Sequence, residues 1–373
     1  MRVLVIPLPY PTHLMAMVPL CWALRTSGHE VLIACPPEVR ATAHAAGLTT
    51  VDVPGHEEAP ATTIRLRFPL PAFGERYTDA GRDLWRATAD SVVRDSLDRL
   101  ADYRAVAESW RPSLLLVDVC ALVGRVLGGL LDVPVAAHRW GVDPTAGPFT
   151  ERARELLDLP EPTLVLDPCP PGLQAVDAPP GRPVQFVPYN GSGTVPGWST
   201  PPPGVRRICV CMGRMVLDTT GPAPLRRAVA AATAVPGTQT VVAVSREHRR
   251  WLADLPADVL VAESVPLNLF LDTCAAVVCA GGSGTALTAT RFGVPQLVLP
   301  QYFDQFDYAR NLAAAGAGLA LPDGDSQSDH DLLTGSLAAL LDDSGFASAA
   351  AKLGDEIAEM PRPTEVVRAL EHV

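Results

Sequence analysis

The sequence predicts an α/β protein of two doubly wound domains facing a central cleft. Three observations carry this reading. Short, continuously apolar runs alternate with helical periods in both halves of the chain. A stretch rich in proline and glycine, from about 168 to 204 and including Pro201-Pro202-Pro203-Gly204, separates the two series. In the second series one apolar run opens into Gly281-Gly282-Ser283-Gly284-Thr285, a turn that leads directly into a helix. At 373 residues the chain exceeds one ordinary core, so two domains are expected.

The first strand is expected at 3–6, apolar at every position as buried parallel strands are. A proline-rich loop, 7–13, follows. A helix from 14 to about 27 stops at Gly28, a C-terminal glycine signal. The second strand lies at 31–34 and the second helix at 37–46. A long amphipathic helix occupies 79–110, with Leu84, Trp85, Val92, Leu97, Leu100 and Tyr103 on its apolar side. Strands at 114–117 and 133–137 follow. Beyond the linker the alternation restarts with a strand at 208–212, a turn at Gly213-Arg214, a helix at 223–234 and strands at 240–244 and 260–261. The glycine turn, its helix, a strand at 296–299 and the polar pair Asp304-Gln305 come next, and the last helix, 364–373, follows Pro361 and Pro363. The domains are accordingly drawn as 1–195, 196–360 and a C-terminal helix, 361–373, returning to the N-terminal domain.

Composition narrows the function. Lys+Arg 30 against Asp+Glu 41 gives a net charge of −11 with no basic block, which argues against nucleic acid and against an anionic membrane surface. The start of the chain has no signal-peptide pattern, and the longest apolar run, about 114–123, is broken by Asp118 and too short to span a bilayer, so a cytoplasmic location is expected. Seven of the eight cysteines lie in apolar segments and read as buried free thiols. Cys209 and Cys211 have no second ligand pair nearby, and no metal site or resident cofactor is expected.

The glycine turn aims several backbone N–H groups and the positive end of a helix dipole at one point, a setting that suits phosphate. The next strand delivers Asp304 and Gln305 to the same sheet edge. A diphosphate held by Gly281, Gly282, Ser283, Gly284 and Thr285 would carry its attached group toward that pair, whose oxygens and amide suit sugar hydroxyls. Diphosphate plus a polyhydroxylated group describes a nucleotide sugar.

At these residues the chain resembles the GT-B glycosyltransferases that attach deoxysugars to bacterial polyketides. The matching pieces run from Val5-Ile6-Pro7, Thr12-His13-Leu14, Met17-Val18-Pro19-Leu20 and Gly28-His29-Glu30-Val31 to Ser264-Val265-Pro266-Leu267, the glycine turn, Gly293-Val294-Pro295-Gln296 and Asp304-Gln305. Within that family it is most similar to enzymes acting on aromatic polyketides, of which some form C–C bonds. The resemblance implies a TDP-deoxysugar donor on the C-terminal domain and an aromatic polyketide acceptor on the N-terminal domain. It also implies inversion of the anomeric centre without a metal, and thymine held through the backbone of Val265. The family carries two histidines just before the glycine turn, and here Cys279 and Ala280 stand in their places. Cys279 is therefore taken as a donor-site position, and Arg214 as a source of the missing positive charge.

His13, after the first strand, can take the acceptor hydroxyl proton, and the family places its base there. Asp143 and Asp118 stand at strand ends as partners of His13, and Asp143 is also a base candidate in its own right. Phe68, Phe73, Trp85 and Trp140 are candidates for the apolar wall of the acceptor site. Two other functions fit the same features less well. One is a non-catalytic sugar-nucleotide-binding helper, which the missing histidines would suit; the other is a sugar-nucleotide epimerase, which would need no apolar acceptor pocket. Oligomeric state is not encoded in any feature of the sequence; a homodimer is the assembly considered.

Overall fold

The run Val3-Leu4-Val5-Ile6 has no polar side chain to expose, so both of its faces must be covered, and a parallel sheet with helices on each side does this. The computed structural model describes residues 1–53, 79–143, 145–252 and 254–373, and contains two such sheets. The first is built from β1 (Arg2–Ile6), β2 (Glu30–Cys35), β3 (Thr50–Asp52), β4 (Leu114–Asp118), β5 (Val135–His138), β6 (Leu164–Asp167) and β7 (Arg182–Pro183), in spatial order β3-β2-β1-β4-β5-β6-β7. The second comprises β8 (Arg206–Cys211), β9 (Thr238–Val244), β10 (Leu260–Glu263), β11 (Ala276–Cys279), β12 (Gln296–Val298) and β13 (Gly318–Ala320), in order β10-β9-β8-β11-β12-β13. Every pairing is parallel. These are two doubly wound domains.

Helices cover both faces of each sheet. In the first half they are α1 (Pro11–Thr26), α2 (Pro37–Ala45), α3 (Asp79–Trp110), α4 (Leu122–Leu131) and α5 (Pro148–Leu156). In the second they are α6 (Arg214–Thr220), α7 (Ala223–Ala234), α8 (Ser283–Arg291), α9 (Asp304–Ala314), α10 (His330–Asp342) and α11 (Ser344–Glu359), with α12 (Pro363–Leu370) last. The strand period of two sorts the side chains. Val3 and Val5 pack with Leu14, Met17 and Leu24 of α1 and with Val366, Val367 and Leu370 of α12. Leu4 and Ile6 pack on the opposite face with Tyr103 and Ala107 of α3 and Leu127 of α4. The final helix thus completes the core of the first sheet.

Winding reverses between β1 and β4 in the first sheet and between β8 and β11 in the second. Open α/β sheets bind ligands beyond the strand carboxyl ends at such points. Two differences from the sequence reading bear on this region. Helix α1 starts at Pro11 rather than at 14, because proline at the first helical position has its φ preset and needs no hydrogen-bond acceptor. His13 therefore stands in the first helical turn, not in a loop. The stretch read as linker from 168 still contributes β7 to the first sheet, a two-residue strand with no periodicity to detect.

Candidate active site

His13 and Asp118 flank the reversal point of the first sheet. His13 Nδ1 lies 2.8 Å from Asp118 Oδ2, with the two side chains 10% and 1% exposed. The other carboxylate oxygen of Asp118 accepts the Cys120 backbone N–H at 2.9 Å. An ionised carboxylate only accepts, so Nδ1 carries the hydrogen and Nε2 holds the lone pair. This is the tautomer a general base requires, oriented by its acidic partner. The Trp140 ring lies 4.2 Å from the imidazole and Tyr10 5.5 Å, centroid to centroid.

Asp143 is placed differently. It is fully buried, its carboxylate paired with Arg139 at 2.5 Å. Its Oδ1 also accepts the backbone N–H and the hydroxyl of Thr145, both at 2.7 Å. Arg139 further pairs with Asp167 at 2.6 Å and donates to the Pro179 carbonyl at 2.6 Å. Gln174 closes the network, donating to Asp167 and accepting the Asp143 N–H. Burial pushes the Asp167 carboxyl above its ordinary range against the pull of Arg139. A base needs a lone pair within reach of the proton it removes. Asp143 has both oxygens engaged and no exposed surface, so the expectation of Asp143 as the base or as the partner of His13 is corrected on geometry. It anchors the loop that follows β5.

In the second sheet, β11 runs into Gly281 and Gly282, and α8 begins at Ser283. Gly281 adopts φ +86°, and a Cβ there would lie 2.9 Å from Val298 Cγ1 and 3.3 Å from the Gln305 carbonyl oxygen. Only glycine fits both the conformation and the space. The first N–H groups of α8 have no acceptor within the helix, and its dipole points the same way. The Thr285 hydroxyl lies 3.5 Å from Cys211 Sγ.

Asp304 and Gln305 form the first turn of α9. The Gln305 side-chain oxygen accepts the N–H groups of Gln301 and Tyr302 at 2.9 and 3.4 Å, which fixes the loop and turns the amide nitrogen away from it. Phe303, before the helix, takes φ 54°, rare for an aromatic residue, and its ring meets Trp85 of α3 at 4.7 Å. Burial raises the Asp304 carboxyl to about 6, opposed by its own backbone N–H, by the charge of His13 and by the Trp140 N–H. Asp304 of the second domain therefore lies beside the His13–Trp140 pair of the first.

A pH dependence follows from Asp304. A carboxyl whose folded value exceeds its unfolded value, about 3.9, binds protons more tightly when folded. Its contribution to stability is present below pH ~4 and is lost as pH rises through the folded value, about 6. Asp304→Asn is expected to be more stable than the parent at pH 8, with the advantage shrinking as pH falls from 6 to 4. Thermal unfolding across that range checks this, and a pH-independent difference would contradict it.

The remaining candidates separate. Trp85 is buried against Phe149 and Phe303. Val265 follows β10, after Ser264 at φ 52°, and packs partly on the second core. Arg214 opens α6 beyond β8, exposed, with its Nε 3.5 Å from Asp218, which also meets His248 Nε2 at 2.9 Å. The Cys279 thiol is fully buried, 3.6 Å from the Gln296 side-chain oxygen, on the core side covered by α8, and burial pushes it up to about 12. The Gly281 backbone N–H lies against the thiol, so the side chain at 279 packs beneath the glycine turn rather than in its mouth. Phe68 and Phe73 lie outside the described residues. Among the described residues, no cluster of three His, Cys, Asp or Glu side chains could hold a metal ion, and no helix is long and apolar enough to cross a membrane.

Sequence reasoning missed Arg139, Asp167, Gln174, Phe303 and Asn190. Asn190 donates to the Gly284 carbonyl and the Thr288 hydroxyl at 3.3 and 3.2 Å and accepts the Asn268 N–H at 3.1 Å, tying the chain between the domains to α8. Phe303 adjoins the recognised Asp304 and was the one within reach of motif reading.

Comparison with known proteins agrees with this fold. Residues 22–213 match the N-terminal domain of erythromycin biosynthesis protein CIII-like proteins, and residues 227–373 match the C-terminal domain. L-demethylnoviosyl transferase of Streptomyces niveus is 35% identical over 99% of this chain and 97% of its own length. Elloramycin glycosyltransferase ElmGT of Streptomyces olivaceus is 33% identical over 99% and 97%. The solved structure of spinosyn rhamnosyltransferase SpnG is 66% identical, covers all of both chains and superposes with a TM-score of 0.93; it has also been solved with thymidine diphosphate and with spinosyn aglycone. The chain belongs to the erythromycin CIII-like family of GT-B glycosyltransferases, which transfer TDP-activated deoxysugars in polyketide antibiotic pathways.

Proposed function

We propose that this glycosyltransferase moves a rhamnose-type deoxysugar from TDP onto a hydroxyl of a spinosyn-type polyketide aglycone, with inversion and without a metal. The observation that carries the proposal is the full-length, 66% identity to spinosyn rhamnosyltransferase SpnG, a structure solved with both TDP and spinosyn aglycone. That likeness outweighs the more distant ones behind the expected aromatic acceptor and C–C bond. A histidine hydrogen-bonded to a buried aspartate also suits a hydroxyl acceptor, whose proton must leave as the new bond forms. Helper and epimerase functions are not favoured, since the relatives are transferases.

In the proposed step His13 Nε2 takes the acceptor O–H proton and the oxygen attacks the anomeric carbon. The bond from that carbon to the diphosphate breaks, and TDP departs with the electron pair. Asp118 stabilises the imidazolium. The N–H groups and hydroxyls of Gly281, Gly282, Ser283, Gly284 and Thr285 hold the charge growing on the leaving group. That interaction strengthens toward the transition state and so speeds the reaction. Arg214 adds positive charge, Asp304 and Gln305 grip the sugar, the Val265 backbone meets thymine, and Trp85 and Trp140 wall the acceptor side.

Initial rates of TDP release test the proposal, with several TDP-deoxysugars against spinosyn aglycone and aromatic polyketide aglycones. The highest kcat/KM is expected for TDP-rhamnose with spinosyn aglycone. Preference for an aromatic aglycone would overturn the acceptor assignment.

A further inference from the structure

The loop after β5 reaches across the cleft. Trp140 packs on His13 and its N–H lies close enough to Asp304 to draw its carboxyl down, so one side chain adjoins the first domain's histidine and Asp304 of the second domain. Its neighbour Gly141 lies against the first turn of α8. A Cβ built on Gly141 would fall 2.2 Å from Ser283 Oγ, 2.7 Å from Ser283 Cβ and 3.5 Å from Leu287 Cδ1. The Gly141 backbone is not in the left-handed region, so glycine is needed here for space rather than for conformation. A serine hydroxyl can rotate away, but the Cβ contact cannot be relieved without moving backbone. The loop itself cannot easily yield, because Arg139 is locked between Asp143 and Asp167 beneath it.

We infer that Gly141 is the positioning residue for domain closure: its missing side chain lets the acceptor domain seat directly on the first turn of the phosphate helix. Asp143 serves the same end by holding the loop. This rests on the proposed function for what closure achieves, namely bringing His13 and the acceptor to the anomeric carbon. The contact joins elements of two separate sheets, so an added methyl group leaves either domain able to fold and holds the two apart by about the overlap.

The test is a double-mutant cycle over Gly141→Ala and Ser283→Gly, assayed with TDP-rhamnose and spinosyn aglycone. A displacement of about 1 Å at the reacting atoms costs on the order of 10²-fold, so Gly141→Ala is expected to lower kcat by roughly 10- to 100-fold. Donor KM and TDP Kd should change by less than about threefold, because one domain holds TDP. In the Ser283→Gly background, where the obstructing atoms are gone, adding Gly141→Ala should change kcat less than about twofold. An unchanged kcat, or the same loss in both backgrounds, would overturn the inference. If the parent enzyme turns over neither substrate while still binding TDP, the substrate assignment fails. Crystal structures of the parent and Gly141→Ala TDP complexes then decide closure alone: a widened approach between positions 141 and 283 supports it, and unchanged spacing overturns it.

Discussion

Replacing His13 by alanine is expected to lower kcat by about 10²- to 10⁴-fold, the usual contribution of a positioned general base. TDP affinity should stay within about threefold, because His13 lies on α1 of the first domain and the glycine turn proposed to hold the diphosphate lies in the second. The expectation rests on the 2.8 Å bond to Asp118 and on Asp118's own anchoring by the Cys120 N–H, which together set the tautomer and aim of the ring. Asp118→Asn should fall between His13→Ala and the parent. Its amide nitrogen can donate to Nδ1, which puts the hydrogen on Nε2 and removes the lone pair. Steady-state kinetics with parallel calorimetric titration of TDP checks both. A His13→Ala enzyme within a few-fold of the parent would remove His13 from the chemistry.

Arg139→Met is expected to destabilise the protein by about 3–5 kcal/mol, the cost of stripping the counter-charge from a buried ionic network. Arg139 is 1% exposed, Asp143 fully buried and Asp167 nearly so. Removing the guanidinium leaves two carboxylates in the interior without their shared counter-charge, though still hydrogen-bonded to groups that include Thr145, Cys169 and Gln174. The triple variant Arg139→Met, Asp143→Asn, Asp167→Asn should recover part of the loss, since no uncompensated charge remains. Chemical denaturation followed in the first domain measures this. A loss under about 1 kcal/mol would show that water or protonation already satisfies the two acids.

Much of this molecule was legible because its strands are buried on both faces. Val3 to Ile6 and Ile208 to Cys211 are apolar at successive positions, and such runs announce parallel sheets. The glycine turn was legible because Gly281 is required by local backbone geometry, and local geometry is what sequence spacing reports. Asp143 was misread for the opposite reason. It looked like a strand-end acid near His13, but it pairs with Arg139, which is held in turn by Asp167 through the pairing of β5 with β6. Nothing in spacing reveals the Arg139–Asp167 pair, 28 residues apart. That the Cys279 thiol is wholly buried was not legible, because occupying a family position says nothing about how deeply a side chain is covered. Short β7 and the contact between Gly141 and Ser283 depend wholly on tertiary packing, as does the approach of Trp85 to Phe303.

The most direct measurement is the structure, by nuclear magnetic resonance, of the product formed from TDP-rhamnose and spinosyn aglycone. One O-linked rhamnoside is expected, with anomeric configuration opposite to that of the donor and one TDP released per sugar transferred. A carbon-linked sugar, or a product that retains the donor's configuration, would contradict single displacement by a hydroxyl activated at His13.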